Sequence, residues 1–512
     1  MSLLSLPLEI QLEVLSYCSI DDISFLSISC RTLQTVCDLE NREKFHEIII
    51  HCDDESRNAA FDLLMAILKQ PYLGHYVRHI ECRDPISILE IYPQRDQQRE
   101  LGDNDLSLLR DAVGNAGFTG SKQDQVLNML MQQTAANTIR KEGEKEEQYD
   151  DEYDDDEREA REWKARGSFT SQALTALLIT VSPNLMYLAT IDPKGGRYDL
   201  PTEWPLHELL YQTNSDAKNK PFLRNLRKVH IIREGDHKWD NQRLNDLVVN
   251  DLISDTTCFI RCFRLFDTFL SIECIRTEGM FEIWDMWPTI SEQFAIVTRS
   301  NVSKFSLPSS SVSSTNLAVM ISACKVLREF QYSHGGRSNQ RGYISFNIKT
   351  FIKALCPHKN TLEVLDLDVD YACNSSLRLL EEGRLSLDVT RGGPLEPLDP
   401  DGFEPTLTFL QSIWKNSGSL KDFVALKRLS MGIQTLLYFA KGVHEGIGEK
   451  KGKAVLAECL PDNLSFLCIH GYERGKNSEW DTQIDALKAF HASGSSNLIE
   501  ISGIDEQIPN SP

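Results

Sequence analysis

The 512-residue sequence predicts an α/β fold with a mainly parallel sheet, led by a short helical head. Two recurring patterns carry this. Apolar residues return at i, i+3, i+4 and i+7, the spacing of one helix face, in Phe61/Leu64/Met65/Leu68, Leu174/Leu177/Leu178/Val181, Leu317/Met320/Ile321/Cys324 and Ile348/Phe351/Ile352/Leu355. Within ten residues of each stripe comes a short run of the form apolar-x-x-apolar-x-apolar, the length of one strand. Helix and strand alternating in a constant order build parallel pairing, because parallel neighbours need a long crossover between them.

The head opens on Leu6-Pro7-Leu8-Glu9-Ile10. Proline suits the first turn of a helix, where its missing N–H costs nothing. Ile10, Val14 and Tyr17 then form one stripe, with Leu8, Leu12 and Leu15 beside it; Asp21-Asp22 starts a second short helix carried by Ile23, Leu26 and Ser27. Glu47-Ile48-Ile49-Ile50-His51-Cys52 reads as a strand, the Phe61 stripe as a helix, and Val77-Arg78-His79-Ile80-Glu81-Cys82 as a second strand. Two helical patterns follow, Leu106/Leu109/Val113 and Val126/Leu127/Leu130/Met131, separated by a loop at Gly114, Gly117 and Gly120.

The strand pattern then recurs. It is complete in Leu226–Ile231, Val302–Leu307, Leu327–Tyr332, Leu362–Leu367, Leu426–Met431 and Leu464–Ile469, and partial in Leu185–Leu188 and Leu498–Ile501. From Leu185 onward the starts are separated by 41, 76, 25, 35, 64, 38 and 34 residues, and the two longest intervals have room for a degenerate copy or an inserted loop. Ser309–Ser311 and residues 392–405 read as loops.

The net charge of −21 is uneven: residues 141–162 hold thirteen Asp and Glu against four Lys and Arg. Like charges this dense repel and bury no core, so residues 141–165 are expected to be a disordered insertion. Nucleic acid is not an expected partner, because phosphate binding needs clustered Lys and Arg. A membrane is not expected either, since no run approaches the length of a span and an acidic surface repels anionic lipid. Thirteen scattered cysteines and the lack of a basic leader point to free thiols in the cytoplasm or nucleus.

In residue order the head resembles an F-box, the helical module that docks on the Skp-type adaptor of cullin–RING ubiquitin ligases. Leu-Pro-x-Glu-Ile, a hydrophobic helix, an Asp, a Leu and Cys30-Arg31-x-Leu33 carry the resemblance. Cys18 departs from it, standing where leucine is commoner; a thiol is a smaller apolar group. The recurring strand pattern resembles that of leucine-rich repeats, which feed L-x-x-L-x-L strands into a growing parallel sheet at intervals of about 20–29 residues. Only one interval here lies in that range, so ordinary strand–helix alternation remains the other reading. The division expected is an F-box at 1–45, a strand–helix–strand start with further helices at 46–140, the acidic insertion, and an irregular leucine-rich-repeat-like α/β solenoid at 166–512. Such a head and body are similar to those of fungal F-box proteins.

No local catalytic set stands out. His46-Glu47 and His51 have i+5 spacing where a helical zinc pair needs i+4. Residues 446–453 have glycines and lysines but not the nucleotide-loop spacing. Cys258 and Cys262 have no second ligand pair nearby. No cofactor or metal is expected, and the chain reads as a non-catalytic subunit. The F-box resemblance implies that Leu6, Pro7, Glu9, Ile10, Val14, Leu15 and Leu26 meet the Skp-type adaptor and, through it, a cullin–RING ligase. The repeat resemblance implies an outward face bearing His79, Glu81, Lys228, His230, Lys304, Ser306, Glu329, Gln331, Val364, Asp366, Arg428, Ser430, Phe466 and Cys468. Of these, Lys228, His230, Lys304, Glu329, Gln331, Asp366, Arg428 and Phe466 are the candidates for holding a target protein. The role implied is substrate recognition in an SCF-type ligase. A scaffold that uses the F-box without ubiquitination is the alternative, and an enzyme built from distant residues is a third class.

Overall fold

The computed structural model describes residues 3–51, 53–83, 98–132, 153–191, 204–232, 263–277, 300–310, 312–334, 346–370, 408–444, 455–494 and 497–510, with side chains left aside at 16, 153–166 and 408–410. Residues 258, 262 and 446–453, singled out above, lie outside them. The chain divides into two units, Met1–Asp255 with Phe269–Ile272, and Thr256–Thr268 with Glu273–Pro512.

The first unit begins with α1 (Leu8–Ser16), α2 (Ile20–Ser27), α3 (Arg31–Cys37) and α4 (Leu39–His46). Ser19 starts α2 through a capping box: its Oγ accepts the Asp22 N–H at 3.1 Å, and Asp22 Oδ2 accepts the Ser19 N–H at 3.3 Å. Asp38 turns α3 into α4 in the left-handed region, at φ 46°. Leu15, Ile23, Leu33 and Cys37 form the small core, with Leu3, Cys18, Leu26, Cys30, Val36 and Leu39 packed around it.

α4 passes without a linker into β1 (Glu47–Ile50). α5 (Asp54–Lys69) follows, capped by Asp53, which accepts the Ser56 N–H at 2.7 Å. Ser56 Oγ in turn donates to Ile49 O and accepts from His51 N, occupying backbone groups at β1. Then come β2 (His79–Cys82), α6 (Asp103–Asn115), α7 (Ser121–Met131), α8 (Tyr153–Thr180), β3 (Tyr187–Thr190), α9 (Pro205–Ser215) and β4 (Lys228–Ile231). The second unit holds β5 (Cys274–Thr277), β6 (Lys304–Ser310), α10 (Ser314–Ala323), β7 (Glu329–His334), α11 (Ile348–Leu355), β8 (Val364–Asp368), α12 (Thr408–Trp414), β9 (Arg428–Gly432), α13 (Ile433–Lys441), β10 (Phe466–His470), α14 (Ser478–Ala492) and β11 (Glu500–Ser502).

Within each unit, consecutive strands pair in parallel and in matching register, with one shift between Leu307 and Ser310. Alternation along a strand sends the fourth and sixth motif residues inward and the third and fifth outward. Ile48, Ile80, Leu188 and Val229 make one buried column in the first unit; Ile275, Phe305, Phe330, Leu365, Leu429 and Leu467 continue the pattern in the second. The first motif residue is buried as well, at Val77, Leu185, Leu226, Val302, Leu327, Leu362, Leu426 and Leu464. Phe45, still in α4, fills that place ahead of β1.

One backbone device recurs at most steps. The carbonyl of the second motif residue accepts the N–H groups of the second and third residues of the next copy: Arg78 O takes Met186 N at 2.9 Å and Tyr187 N at 3.0 Å, and Met186 O takes Arg227 N and Lys228 N. Ser303, Arg328, Glu363, Lys427 and Ser465 repeat it in the second unit.

Two expectations change. Residues 153–165, expected to be disordered, belong to α8. Residues 141–152 lie outside the described range. Second, the 76-residue interval after Leu226 contains a strand not found from sequence, β5. Its motif, Ile272-Glu273-Cys274-Ile275-Arg276-Thr277, ends on threonine where the pattern asks for an apolar residue. Across the 64-residue interval β8 pairs directly with β9, so it holds no strand between them in the pairing.

Candidate functional site

α1 is apolar around most of its circumference, yet it buries only Gln11 and Leu15 among its described side chains. Gln11 Nε2 donates to Leu6 O at 2.7 Å, tying the entry turn to the helix. Pro7 precedes the helix at φ −54°, and both Pro7 and Glu9 are exposed. Leu8, Ile10, Leu12 and Val14 are exposed too, as are Tyr17 (80%), Phe25 (70%) and Ile28 (79%). Among the described residues, eight of the seventeen exposed large apolar side chains fall between Leu4 and Ile28, which marks this head as a surface needing a cover. Tyr17 Oη donates to Glu13 Oε1 at 2.9 Å, and that carboxylate raises the phenol above its usual value.

The candidate head residues therefore separate. Pro7, Glu9, Ile10 and Val14 are on the outside, Leu6 is half-buried, and Leu26 is partly buried against the core. Leu15 is a correction: it is wholly buried inside the head and has no surface to offer a partner. Two apolar stripes lay on one helix, and periodicity alone does not say which one turns inward. Leu8, Leu12, Tyr17, Phe25 and Ile28 share the exposed apolar surface without being among the candidates from sequence; the signal for those on α1 is its apolar character on nearly every side.

The head is braced against the turn that precedes β2. Tyr76 Oη donates to Asp38 Oδ2 at 3.0 Å, Asn41 Nδ2 donates to Asp38 Oδ1 at 2.9 Å, and the Arg42 guanidinium lies 4.5 Å over the Tyr76 ring. Burial, with the Asp38 bond second, pushes the Tyr76 phenol up to about 12.

Outward residues in the first unit form a ring series. His46 and His79 lie 5.2 Å apart between centroids, as do His79 and Tyr187, and Tyr187 Oη bonds His230 Nδ1 at 3.1 Å. Burial holds both His46 and His79 below the usual imidazole value. Lys228 is exposed beside them.

In the second unit the outward charges pair off. Lys304 bonds Glu329. Glu363 lies between Arg328 at 3.1 Å and Lys427 at 2.7 Å, and Lys427 foremost holds that carboxyl below its usual range. The Arg428 guanidinium sits 4.4 Å over the Phe466 ring. Ser430 Oγ lies 2.8 Å from His470 Nε2, and His470 Nδ1 lies 3.4 Å from Asp368 Oδ2. That order is the order of a nucleophile, base and orienting carboxylate. Asp366 stands in register beside Ser430. The Asp368 bond raises His470 above its usual value.

Among the described residues no group of three or more His, Cys, Asp or Glu could hold a metal ion, and no helix is long and apolar enough to cross a membrane. Compared with known protein families, residues 3–45 match the F-box domain. No curated protein matches the chain. The match ends on Phe45, the residue that fills the first buried place before β1. The chain carries a domain of protein-interaction adaptors on a mixed α/β body with parallel strands.

Proposed function

We propose that the chain is the substrate-recognition subunit of an SCF-type cullin–RING ubiquitin ligase, with the F-box on a Skp-type adaptor and the strand face on a target protein. The observation that carries this is the uncovered apolar surface of the F-box, Leu8, Ile10, Leu12, Val14, Tyr17, Phe25 and Ile28. Leaving that much apolar area in water is costly, and a hydrophobic partner groove removes the cost. The recurring motif, its buried columns and the repeated two-donor carbonyl support an irregular leucine-rich-repeat-like solenoid, whose outward residues would face a target. The rate gain is then effective concentration: a target held near a ubiquitin-loaded conjugating enzyme, with no chemistry by this chain.

Leu6→Ala combined with Pro7→Ala is the test. Pro7 sets the approach to α1 through its fixed φ, and the half-buried Leu6 side chain stands just before it. Co-purification of a Skp-type adaptor is expected to be lost, and unchanged recovery would refute the assignment. Deleting residues 1–45 and following turnover of a captured target separates a ligase subunit from a scaffold.

A further inference from the structure

We propose that the outward face of β6 to β9 seats a cationic side chain of the target, carried on an extended segment. This rests on the substrate-receptor reading above and adds the chemistry of the partner. In the fifth motif position, Ser306, Gln331 and Asp366 stand side by side, in register on three successive strands. None of the three side chains makes a hydrogen bond or ion pair with a described residue. Their neighbours are already engaged: Lys304 with Glu329, Arg328 and Lys427 with Glu363, Arg428 with the Phe466 ring, Ser430 with His470, and His470 with Asp368. Asp366 makes no ion pair with a described residue, and its charge favours the protonated form of His470.

A hydroxyl, a carboxamide and a carboxylate in a row are two amphoteric groups and one anion. A partner that covers them without donors strands the Asp366 carboxylate at a cost. An ammonium or guanidinium meets Asp366 and reaches the Gln331 carbonyl one strand away, a spacing of about 4.8 Å. Phe466, capped by Arg428, supplies an apolar wall two strands from Asp366 for the residue beside the cation. An acidic or phosphorylated segment would meet Asp366 with like charge and be disfavoured.

The experiment uses the full chain purified with its adaptor and fluorescent random peptides whose central residue is fixed as arginine, lysine, citrulline or glutamate. Arginine and lysine pools are expected to bind, and citrulline and glutamate pools to stay at background. Asp366→Asn, which keeps the side-chain shape, is expected to weaken the cationic pools by about tenfold or more. Glu363→Gln, a change to a carboxylate outside the row, is expected to leave them as they were. Equal binding of arginine and citrulline pools, or full binding by Asp366→Asn, overturns the proposal. Adaptor recovery in the same preparations reports separately on the receptor reading: if the adaptor is retained and selectivity is absent, only the cation site falls.

Discussion

Phe25→Ala separates docking from folding. A phenylalanine side chain carries about 200 Å² that burial can remove from water. Phe25 stands 70% exposed, so most of that area is still available to a partner. At about 25 cal/mol per Å², full coverage of what remains is worth about 3.5 kcal/mol, and half coverage about 2. An adaptor affinity loss between about 30-fold and a few hundred-fold is expected. The fold should hardly notice, because exposed substitutions stay within about 0.5 kcal/mol. Leu15→Ala is the counterpart: wholly buried, it should lose about 2–5 kcal/mol of stability in the head and take adaptor binding down with it. Calorimetric titration of the purified adaptor against the full chain, paired with thermal unfolding, reads both. If Phe25→Ala binds the adaptor with native affinity and an unchanged unfolding curve, the exposed surface is not the docking face.

Lys353 is wholly buried in α11 and donates to three carbonyls, Trp414 O, Asn416 O and His444 O, at 2.7, 2.7 and 2.6 Å. Lys353→Met strands all three, and urea unfolding should show a loss of about 3–5 kcal/mol; a loss under about 1 would mean that the carbonyls find other donors. Tyr76→Phe removes the bond to Asp38 and should cost about 1 kcal/mol, visible as faster amide exchange in α4; unchanged exchange there would discount the brace. His470 has a raised value through Asp368, so its stabilisation is complete below 6.5 and is lost as pH climbs through the elevated value. His470→Gln should flatten the fall in unfolding midpoint above that pH, and an equally steep fall in the variant would reject the linkage.

The strand pattern was legible because each copy repeats three buried positions, and these survive even where the intervals do not. β5 escaped because Thr277 occupies an inward place usually held by a hydrocarbon. The helix over residues 153–165 is hidden for another reason: its dense negative charge resembles that of an unstructured insertion. At the head, helical periodicity located the elements but not their inward side. Leu15 and Ile10 look alike as letters; only the packing of α1 on Ile23, Leu33 and Cys37 distinguishes them. The outward pairing of Glu363 with two bases from flanking strands depends on register between segments 35 and 64 residues apart, which no local pattern encodes.

Phe45 belongs at once to the module that matches the F-box and to the first rung of the β ladder. A swivel has nowhere to sit between docking head and opening strands. Cargo held along β1 to β4 would ride at a set angle to whatever grips the head, as on a bracket and not on a leash. Splicing extra residues in after His46 would therefore not lengthen a tether; it would pull the first rung out of line.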